Sequence, residues 1–459
     1  MVKHVNICNI STDAEAIVAL GGEISTQPGT TVELFEKRIN MDYEKNVDLI
    51  NKVVKSGHTS ILEHLSFSFL LTDVSICIEE FFIEHRLASF TVKSRRYVNF
   101  GKSGYYIPDD LPSKEFKKCY ADDMDHLFDA YNRLIDLGVP KEDARFLLPY
   151  SFYSNFICTV NAREAIHIVT DLYKKGCESL VYSECDNEYI NLYIEIMGEL
   201  RSSLPWLHDM IAKDIETMVP KTSKPETIDM MFEESCARFV ERPSVVVFDG
   251  NHPKSYNAID EYCENTGKSI EEMVKDSPRE LEILNYFIEL SSVSLATVTH
   301  LVRHRMQSIV VPKLNSANSR EFILPKTILN NVEALGVYCG TITSHINYCE
   351  NMKSMNSGYY SRPWFNQYML LAGNTMDLKT TINAKELLIF LQLRTCNRAQ
   401  WEIQFIANEM LNQLRNMDNM VNNMFDMYGP SCYVQGTCPE GRMCCGEQER
   451  MKEKYSPVN

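Results

Sequence analysis

The chain contains no apolar run approaching the ~20 residues needed to cross a bilayer. Its opening, MVKHVNICNISTDAE, lacks the hydrophobic stretch of a secretory signal. Positive charge is also short. Against 62 acidic residues stand 46 basic ones, a net charge of −16, which disfavours nucleic acid because that partner needs an electropositive face. The 15 cysteines are odd in number, mostly scattered and unaccompanied by secretory features, so they read as thiols. These absences predict a cytoplasmic protein with no membrane and no nucleic-acid partner. What remains is 44% hydrophobic and 24% charged, an ordinary globular composition that excludes wholesale disorder.

What is there is said nearly twice. His85–Arg86–Leu87–Ala88–Ser89 returns as His304–Arg305–Met306–Gln307–Ser308, and Thr159–Val160–Asn161–Ala162–Arg163–Glu164 returns as Thr381–Ile382–Asn383–Ala384–Lys385–Glu386. Two landmarks far apart recur at nearly one spacing, much longer than the about 20–50 residues of solenoid repeats. The chain therefore reads as two whole domains in tandem, 1–222 and 223–459. The join falls in the Pro/Lys/Thr stretch from Val219 to Pro225.

Patterning predicts an α+β fold in each copy, a sheet flanked by long helices. Lys3–Ile10 and Leu65–Leu71 alternate as strands. Ser75–Arg86, Glu115–Leu137, Lys141–Leu148 and Asn161–Tyr173 read as helices, with Gly138–Val139–Pro140 as a stop and Thr91–Tyr97 as a basic loop. In the second copy, Ser291–Arg305, Ala384–Leu393 and Gln400–Leu414 read as helices. Residues 230–275 match the first copy poorly.

The polar motifs fall in one order. Gly57–His58–Thr59–Ser60–Ile61–Leu62–Glu63–His64 precedes a strand, then Glu84–His85–Arg86, then Ser94–Arg95–Arg96–Tyr97 after seven intervening residues. Later come Gly138–Val139–Pro140–Lys141–Glu142–Asp143–Ala144–Arg145 and the Asn161–Ala162–Arg163 core. The second copy keeps Arg303–His304–Arg305, Leu393–Arg394 and Arg398–Ala399–Gln400–Trp401–Glu402–Ile403. This order resembles the flavin-dependent thymidylate synthases (ThyX), whose signature is R-H-R-x7-S. The stretch Gly429–Pro430–Ser431–Cys432 with Cys438–Pro439–Glu440–Gly441 is also similar to the end of some members.

The resemblance implies FAD as cofactor, with dUMP methylated by methylenetetrahydrofolate and NADPH as the reductant. The flavin carries the redox chemistry while protein groups orient ligands and hold charge. It implies flavin contacts at His58, Ser60, Glu63, Asn161, Arg163 and His167 and at Arg303, His304 and Arg305. Contacts to dUMP are implied at Ser94, Arg96, Arg145, Arg303 and Arg394, with His300 one helical turn before Arg303. Arg303 and Arg394 are the implied catalytic residues, stabilising negative charge that develops on the pyrimidine. Ordinary members are homotetramers, so the tandem chain is expected to form a homodimer equivalent to four domains.

Each copy departs where the other conforms. Glu84 stands for the leading arginine of the first R-H-R, Val92 for a polar loop residue and Leu172 for the late arginine. In the second copy Lys313, Asn315 and Gln367 stand where Ser94, Arg96 and Arg145 are expected, and Ser277 and Arg279 match His58 and Ser60. A site shared between complementary copies accounts for this pattern. Arginine suits both halves, because its planar fork grips phosphate bidentately and stays charged.

Blander readings stand beside these. Lone His-Arg pairs are usually solvated or capping, Glu84 pairs with a basic neighbour, and His300 packs. Thr266–Gly267–Lys268–Ser269 is no phosphate loop, since Tyr262 occupies the first glycine position. Cys432, Cys438, Cys444 and Cys445 have thiols that suit zinc, but not at the spacing of a standard finger. They are read as free thiols, and no metal site is assigned. The rival for the whole chain is a catalytically degenerate flavin- or nucleotide-binding sensor or scaffold. A phosphate or nucleic-acid binding module is disfavoured by the acidic charge.

Overall fold

The computed structural model describes residues 4–180, 187–218, 236–417 and 423–456. Among them, ten strands form two sheets. The first comprises β1 (Val5–Cys8), β2 (Ser66–Ser75), β3 (Ser89–Val92) and β4 (Tyr153–Asn161), in the order β1-β2-β4-β3 with every neighbour antiparallel. The second comprises β5 (Arg238–Val240), β6 (Ser244–Asp249), β7 (Asn285–Ser294), β8 (Ser308–Val310), β9 (Asn318–Ile323) and β10 (Asn374–Asn383). Its order is β5-β9-β10-β7-β6, with β8 also on β10. With the surrounding helices this is an α+β fold, built twice.

The duplication reaches into the backbone. At the heart of each sheet, Ser66 pairs with Asn161 and Asn285 with Asn383. Both central strands carry a register shift, after Leu71 in β2 and opposite Met376–Leu378 in β7. At each bulge one residue adopts positive φ, Asp73 at 50° and Ser292 at 56°, a conformation that costs non-glycine residues energy. A side chain of the neighbouring strand holds it in place. Asn155 Oδ1 accepts from Asp73 N at 3.4 Å, and Asp377 Oδ1 accepts from Ser292 N at 2.9 Å. Just beyond, Ser75 and Ser294 cap short helices, accepting from Ile78 N and Thr297 N.

Alternation along β4 buries Ser154, Phe156, Cys158 and Val160 on one face. Phe67, Phe69, Phe82 and Phe156 interlock there edge to face, with centroids 5.3–6.4 Å apart. Burying each such ring contributes about 1.5–3 kcal/mol. In the second sheet Tyr286, Ile288, Leu290, Leu378 and Ile382 form the equivalent buried face, and Leu387, Leu391, Ile403 and Ile406 of the following helices are buried as well.

The chain divides into two compact units that cut across the two copies. The first unit holds Met1–Asn132, Pro149–Phe232 and Asn347–Met369, and the second holds Arg133–Leu148, Glu233–Ile346 and Leu370–Asn459. Residues 133–148 of the first copy thus belong to the second unit, and residues 347–369 of the second copy to the first. The expected join at 222/223 lies outside the described residues.

Several elements differ from the patterns read in sequence. The helix expected over Ser291–Arg305 covers only Leu295–Leu301, because β7 runs on to Ser294 and the chain turns before Arg303. The first copy's counterpart shortens likewise to Ile76–Ile83. Ser89–Val92, half of it expected as loop, is strand β3. Lys141–Leu148 is one α-turn, Lys141–Ala144, followed by the 3-10 turn Arg145–Leu147. The poor match near 236–275 also has a cause. Helices Ala14–Glu23, Thr31–Ile39 and Tyr43–Lys55 follow β1, whereas only Pro253–Thr266 and Ile270–Asp276 follow β6. Among the described residues, no helix is long and apolar enough to cross a membrane.

Candidate functional site

In the second unit the Arg303–His304–Arg305 segment follows the helix capped by Ser294. His304 is buried (6% exposed), while Arg303 and Arg305 on either side are exposed. Two partners pin the imidazole. Arg394 Nε donates to His304 Nε2 at 2.9 Å, and Glu386 Oε1 lies 3.4 Å from Nδ1, with Phe390 packed edge-on at 4.7 Å. Burial depresses the His304 pKa below its ordinary 6.5, and the Arg394 charge works in the same direction against Glu386. A neutral ring accepts from Arg394 and thereby fixes the plane of its guanidinium. His300 lies half-buried at the end of the preceding helix.

Arg145 is also in this unit. It is 3% exposed, with Nε donating to Glu142 O at 3.1 Å. Its turn is anchored through Asp143, whose carboxylate accepts from Trp401 Nε1 at 2.8 Å and Thr327 Oγ1 at 2.5 Å. The fold therefore places Arg145, from the first copy, in one compact unit with Arg303 and Arg394, from the second. Its counterpart Gln367 is in the first unit, where Oε1 lies 3.5 Å from Tyr189 OH and Nε2 is buried without a hydrogen bond. A cavity of about 410 Å³ near Asp143 has Trp401, Phe405 and Arg242 in its wall. Pro140, Glu142, Asp143 and Trp401 of the sequence motifs line it, but none of the residues expected to touch flavin or dUMP does.

In the first unit the loop after β3 is held by a buried anchor. Arg95 pairs with Glu79, which also accepts from Ser154 Oγ. That leaves the flanking Ser94 and Arg96 half-buried, with Arg96 N donating to Ser94 Oγ at 3.3 Å. The turn opening at Ser94, closed by Tyr97 N, has its counterpart opening at Lys313, closed by Ser316 N. The match of Lys313 and Asn315 to Ser94 and Arg96 is thus structural as well as numerical. Leu172, in place of the late arginine, is fully buried.

His58, Ser60 and Glu63 are exposed around the 3-10 turn Thr59–His64. Glu63 meets Arg163 at 2.6 Å, echoed by Glu282 and Lys385 at 3.2 Å. His167 lies one turn on from Arg163, 3.5 Å from Glu164. Asn161 Oδ1 caps its helix by accepting from Glu164 N at 2.8 Å, as Asn383 does for Glu386 at 2.9 Å.

Sequence reasoning missed two buried carboxylates. Glu188 accepts from Ser75 N and Oγ at 2.7 and 2.6 Å, and Glu402 from Ser294 N and Oγ at 2.7 and 2.5 Å. Glu402 also takes Thr297 Oγ1 at 2.8 Å, and Glu188 takes Tyr368 OH at 2.9 Å. Each clamps the strand-to-helix corner below its His-Arg segment. The second was partly signalled by the Gln400–Trp401–Glu402 motif; the first had no comparable motif.

The model of the thymidylate synthase complementing protein family, Thy1, matches residues 6–205 and 234–418. The flavin-dependent thymidylate synthase of Geobacter sulfurreducens is 37% identical over 158 residues, covering 34% of this chain and 67% of that protein. The flavin-dependent thymidylate synthase of Clostridium tetani is 30% identical over 193 residues, covering 38% and 74%. Among solved structures, PolB from Streptomyces cacaoi, a UMP/dUMP methylase bound with 5-Br dUMP, matches with a TM-score of 0.35 and 22% identity. It covers 46% of this chain and 94% of that one.

Proposed function

The chain belongs to the thymidylate synthase complementing protein family, matched twice along its length, and we propose that it acts as a flavin-dependent thymidylate synthase. In this reading it methylates dUMP to dTMP in the cytoplasm, with FAD as cofactor and methylenetetrahydrofolate and NADPH as co-substrates. The observation that carries it is the Arg394–His304 hydrogen bond. It ties the arginine expected on the pyrimidine to the segment expected on the flavin, within one unit.

The residues present fit the cofactor. Exposed Arg303 and Arg305 flank an imidazole held rigid from both sides, a donor set suited to the phosphates of a dinucleotide. His58, Ser60, Glu63, Asn161, Arg163 and His167 supply the polar contacts expected of the other copy. When bound, FAD supplies the electrons. The chain's own part is to bind and orient. Arg145, Arg303 and Arg394, with Ser94 and Arg96, hold the dianionic nucleotide. Arg394 and Arg303 also offset charge that grows on the ring, which accelerates reaction only to the extent that the contact tightens in the transition state.

The test is the visible spectrum of the purified chain with and without FAD, followed by dTMP formation from dUMP, methylenetetrahydrofolate and NADPH. A yellow protein that turns over is expected. Failure to bind FAD at micromolar concentration overturns the enzyme reading, and binding without turnover favours the sensor or scaffold. The assembly proposed is a symmetric homodimer, since four copies reproduce the four-domain core of ordinary members. Light scattering that finds a stable monomer near 52.9 kDa would contradict it.

A further inference from the structure

Three residues of one helix close on a single imidazole. Glu386, Phe390 and Arg394 stand four residues apart on the helix Ala384–Arg394, so their side chains share one face. His304 meets all three. Its Nε2 accepts from Arg394 Nε at 2.9 Å, its Nδ1 lies 3.4 Å from Glu386 Oε1, and its ring packs on Phe390 with centroids 4.7 Å apart. The start of the helix is fixed independently of His304, because Asn383 Oδ1 accepts from Glu386 N at 2.9 Å. The side chains of His304 and Glu386 are only 6% and 13% exposed, so water competes little for either.

These donors allow one protonation state. A guanidinium only donates, so Nε2 must offer Arg394 a lone pair. The neutral ring then carries its proton on Nδ1, aimed at the Glu386 carboxylate. An imidazolium has no lone pair to give, and the Nε2–H tautomer would set two N–H groups against each other. Either would release Arg394. The first copy shows the same glutamate where the arginine is gone. Its helix Ala162–Leu180 carries Glu164, Ile168 and Leu172 at the matching points, and Asn161 caps Glu164 as Asn383 caps Glu386. There Glu164 lies 3.5 Å from His167, and His85 turns its Nδ1 to Phe81 O at 3.0 Å. The carboxylate faces the imidazole Nδ1 in the copy that keeps the late arginine.

We propose that Glu386 is a positioning residue for the nucleotide site: it holds His304 in the Nδ1–H tautomer, and His304 in turn holds the Arg394 guanidinium in place for dUMP. This rests on the reading of Arg394 as a dUMP contact. Glu386 itself touches no substrate in that reading and acts through the imidazole, as groups behind a ligating histidine set its tautomer and orientation. An arginine pinned before binding loses less side-chain freedom when the nucleotide arrives, so its contact is stronger. Burial keeps the His304 ring neutral at pH 7 even though Glu386 pulls the other way.

The experiment has two arms, both on the full chain. In protein labelled with nitrogen-15 histidine, the His304 ring, identified by its loss in His304→Gln, should show a protonated Nδ1 and a bare Nε2 near neutral pH. A ring protonated at Nε2 overturns the proposal, and because this arm reads unaltered protein, a misfolded variant cannot hide the outcome. The second arm titrates Glu386→Leu, Glu386→Gln, Arg394→Ala and the double variant Glu386→Leu/Arg394→Ala with dUMP. Glu386→Leu should weaken binding by about tenfold, the loss of one charge-assisted contact. Glu386→Gln, whose amide oxygen still accepts from Nδ1–H, should weaken it by less than about threefold. In the Arg394→Ala background Glu386→Leu should add less than about twofold, because the two residues act as one unit. Additive losses, or a Gln variant as weak as the Leu variant, would mean that Glu386 only packs and would overturn its positioning role. Wild-type protein that binds no dUMP sinks the reading of Arg394, and the His304 tautomer then decides this proposal by itself.

Discussion

His85 and His304 occupy equivalent points of the two units, yet their imidazoles meet partners of opposite charge. His304 Nε2 accepts from Arg394 Nε at 2.9 Å, whereas His85 Nε2 lies 3.8 Å from the Asp171 carboxylate. The difference follows from two adjacent exchanges, Asp171 for Leu393 and Leu172 for Arg394. Burial opposes protonation of both rings. At His85, Asp171 and the Phe81 carbonyl outweigh it and hold the pKa above 6.5; at His304 burial prevails and the pKa falls below. His304 is thereby kept neutral as an acceptor, in the unit that retains the complete R-H-R.

The two histidines should therefore act oppositely on stability. His304 binds its proton more weakly when folded, so its contribution is present above pH 6.5 and is lost as pH falls through the depressed folded value. His85 binds more tightly when folded, so its contribution is present below 6.5 and is lost as pH rises through its raised value. Thermal melts across pH 5–8 should show a shallower acid limb for His304→Gln and a shallower alkaline limb for His85→Gln. Identical profiles for both variants would contradict the assignment.

Glu402 and Glu188 should be among the costliest residues to truncate. Glu402→Ala strands Ser294 N and the Ser294 hydroxyl proton in the core and leaves Thr297 Oγ1 only Gln400 Oε1 at 3.3 Å, and each buried group left unsatisfied costs about 1–3 kcal/mol. Glu188→Ala does the same to Ser75 and Tyr368. Both should lower the denaturation midpoint strongly, with the Gln variants in between. Changes within about 0.5 kcal/mol, the range of ordinary surface substitutions, would show that the corners do not depend on these carboxylates.

How far this was legible differs by scale. The polar motifs repeat in recognisable order, so His58, Arg96, Arg145, Arg303 and Arg394 stand out in the sequence as candidates for ligand contact. Among the described strands only β1 and β2 followed from alternation; β3, β4 and the strands of the second sheet did not. The exchange of residues 133–148 and 347–369 between units was not legible, because a local pattern shows that a segment is helical and not which sheet it serves. Glu188 with Ser75 escaped for the same reason. β7 was cut short in the reading because Ser291, Ser292 and Ser294 look like a helix start, and only one of them is.

Glu80 supplies a second pH signature in the first unit. It is buried, accepts from Tyr150 OH at 2.7 Å, and burial pushes its pKa up to about 8 despite the nearby Arg95. It is therefore protonated at neutral pH. A carboxyl whose folded pKa is raised stabilises most below its unfolded value of 4.5, and that stabilisation is lost as pH rises through about 8. Glu80→Gln keeps the shape without the titration, so the decline in melting temperature between pH 6 and 9 should flatten. An unchanged slope would mean that Glu80 is ionised in the folded protein.

The arginines separate ligand binding from packing. Alanine at Arg96, Arg303 or Arg394 removes a charge-assisted contact to the nucleotide, worth about 1.5–3 kcal/mol, or roughly ten- to a hundredfold in dUMP affinity. Arg145→Ala should weaken binding by a similar factor and also lower stability, because Arg145 is buried and its Nε holds the Glu142 carbonyl. Their counterparts behave differently in this account. Asn315 and Gln367 carry no charge, so Asn315→Ala and Gln367→Ala should leave dUMP affinity within about twofold of the parent, since a rotationally weak neutral contact contributes little against water. Calorimetric titration of each folded variant with dUMP decides the matter. If Asn315 and Gln367 matter as much as Arg96 and Arg145, each copy builds its own nucleotide site, and the complementary losses along the chain have some other origin.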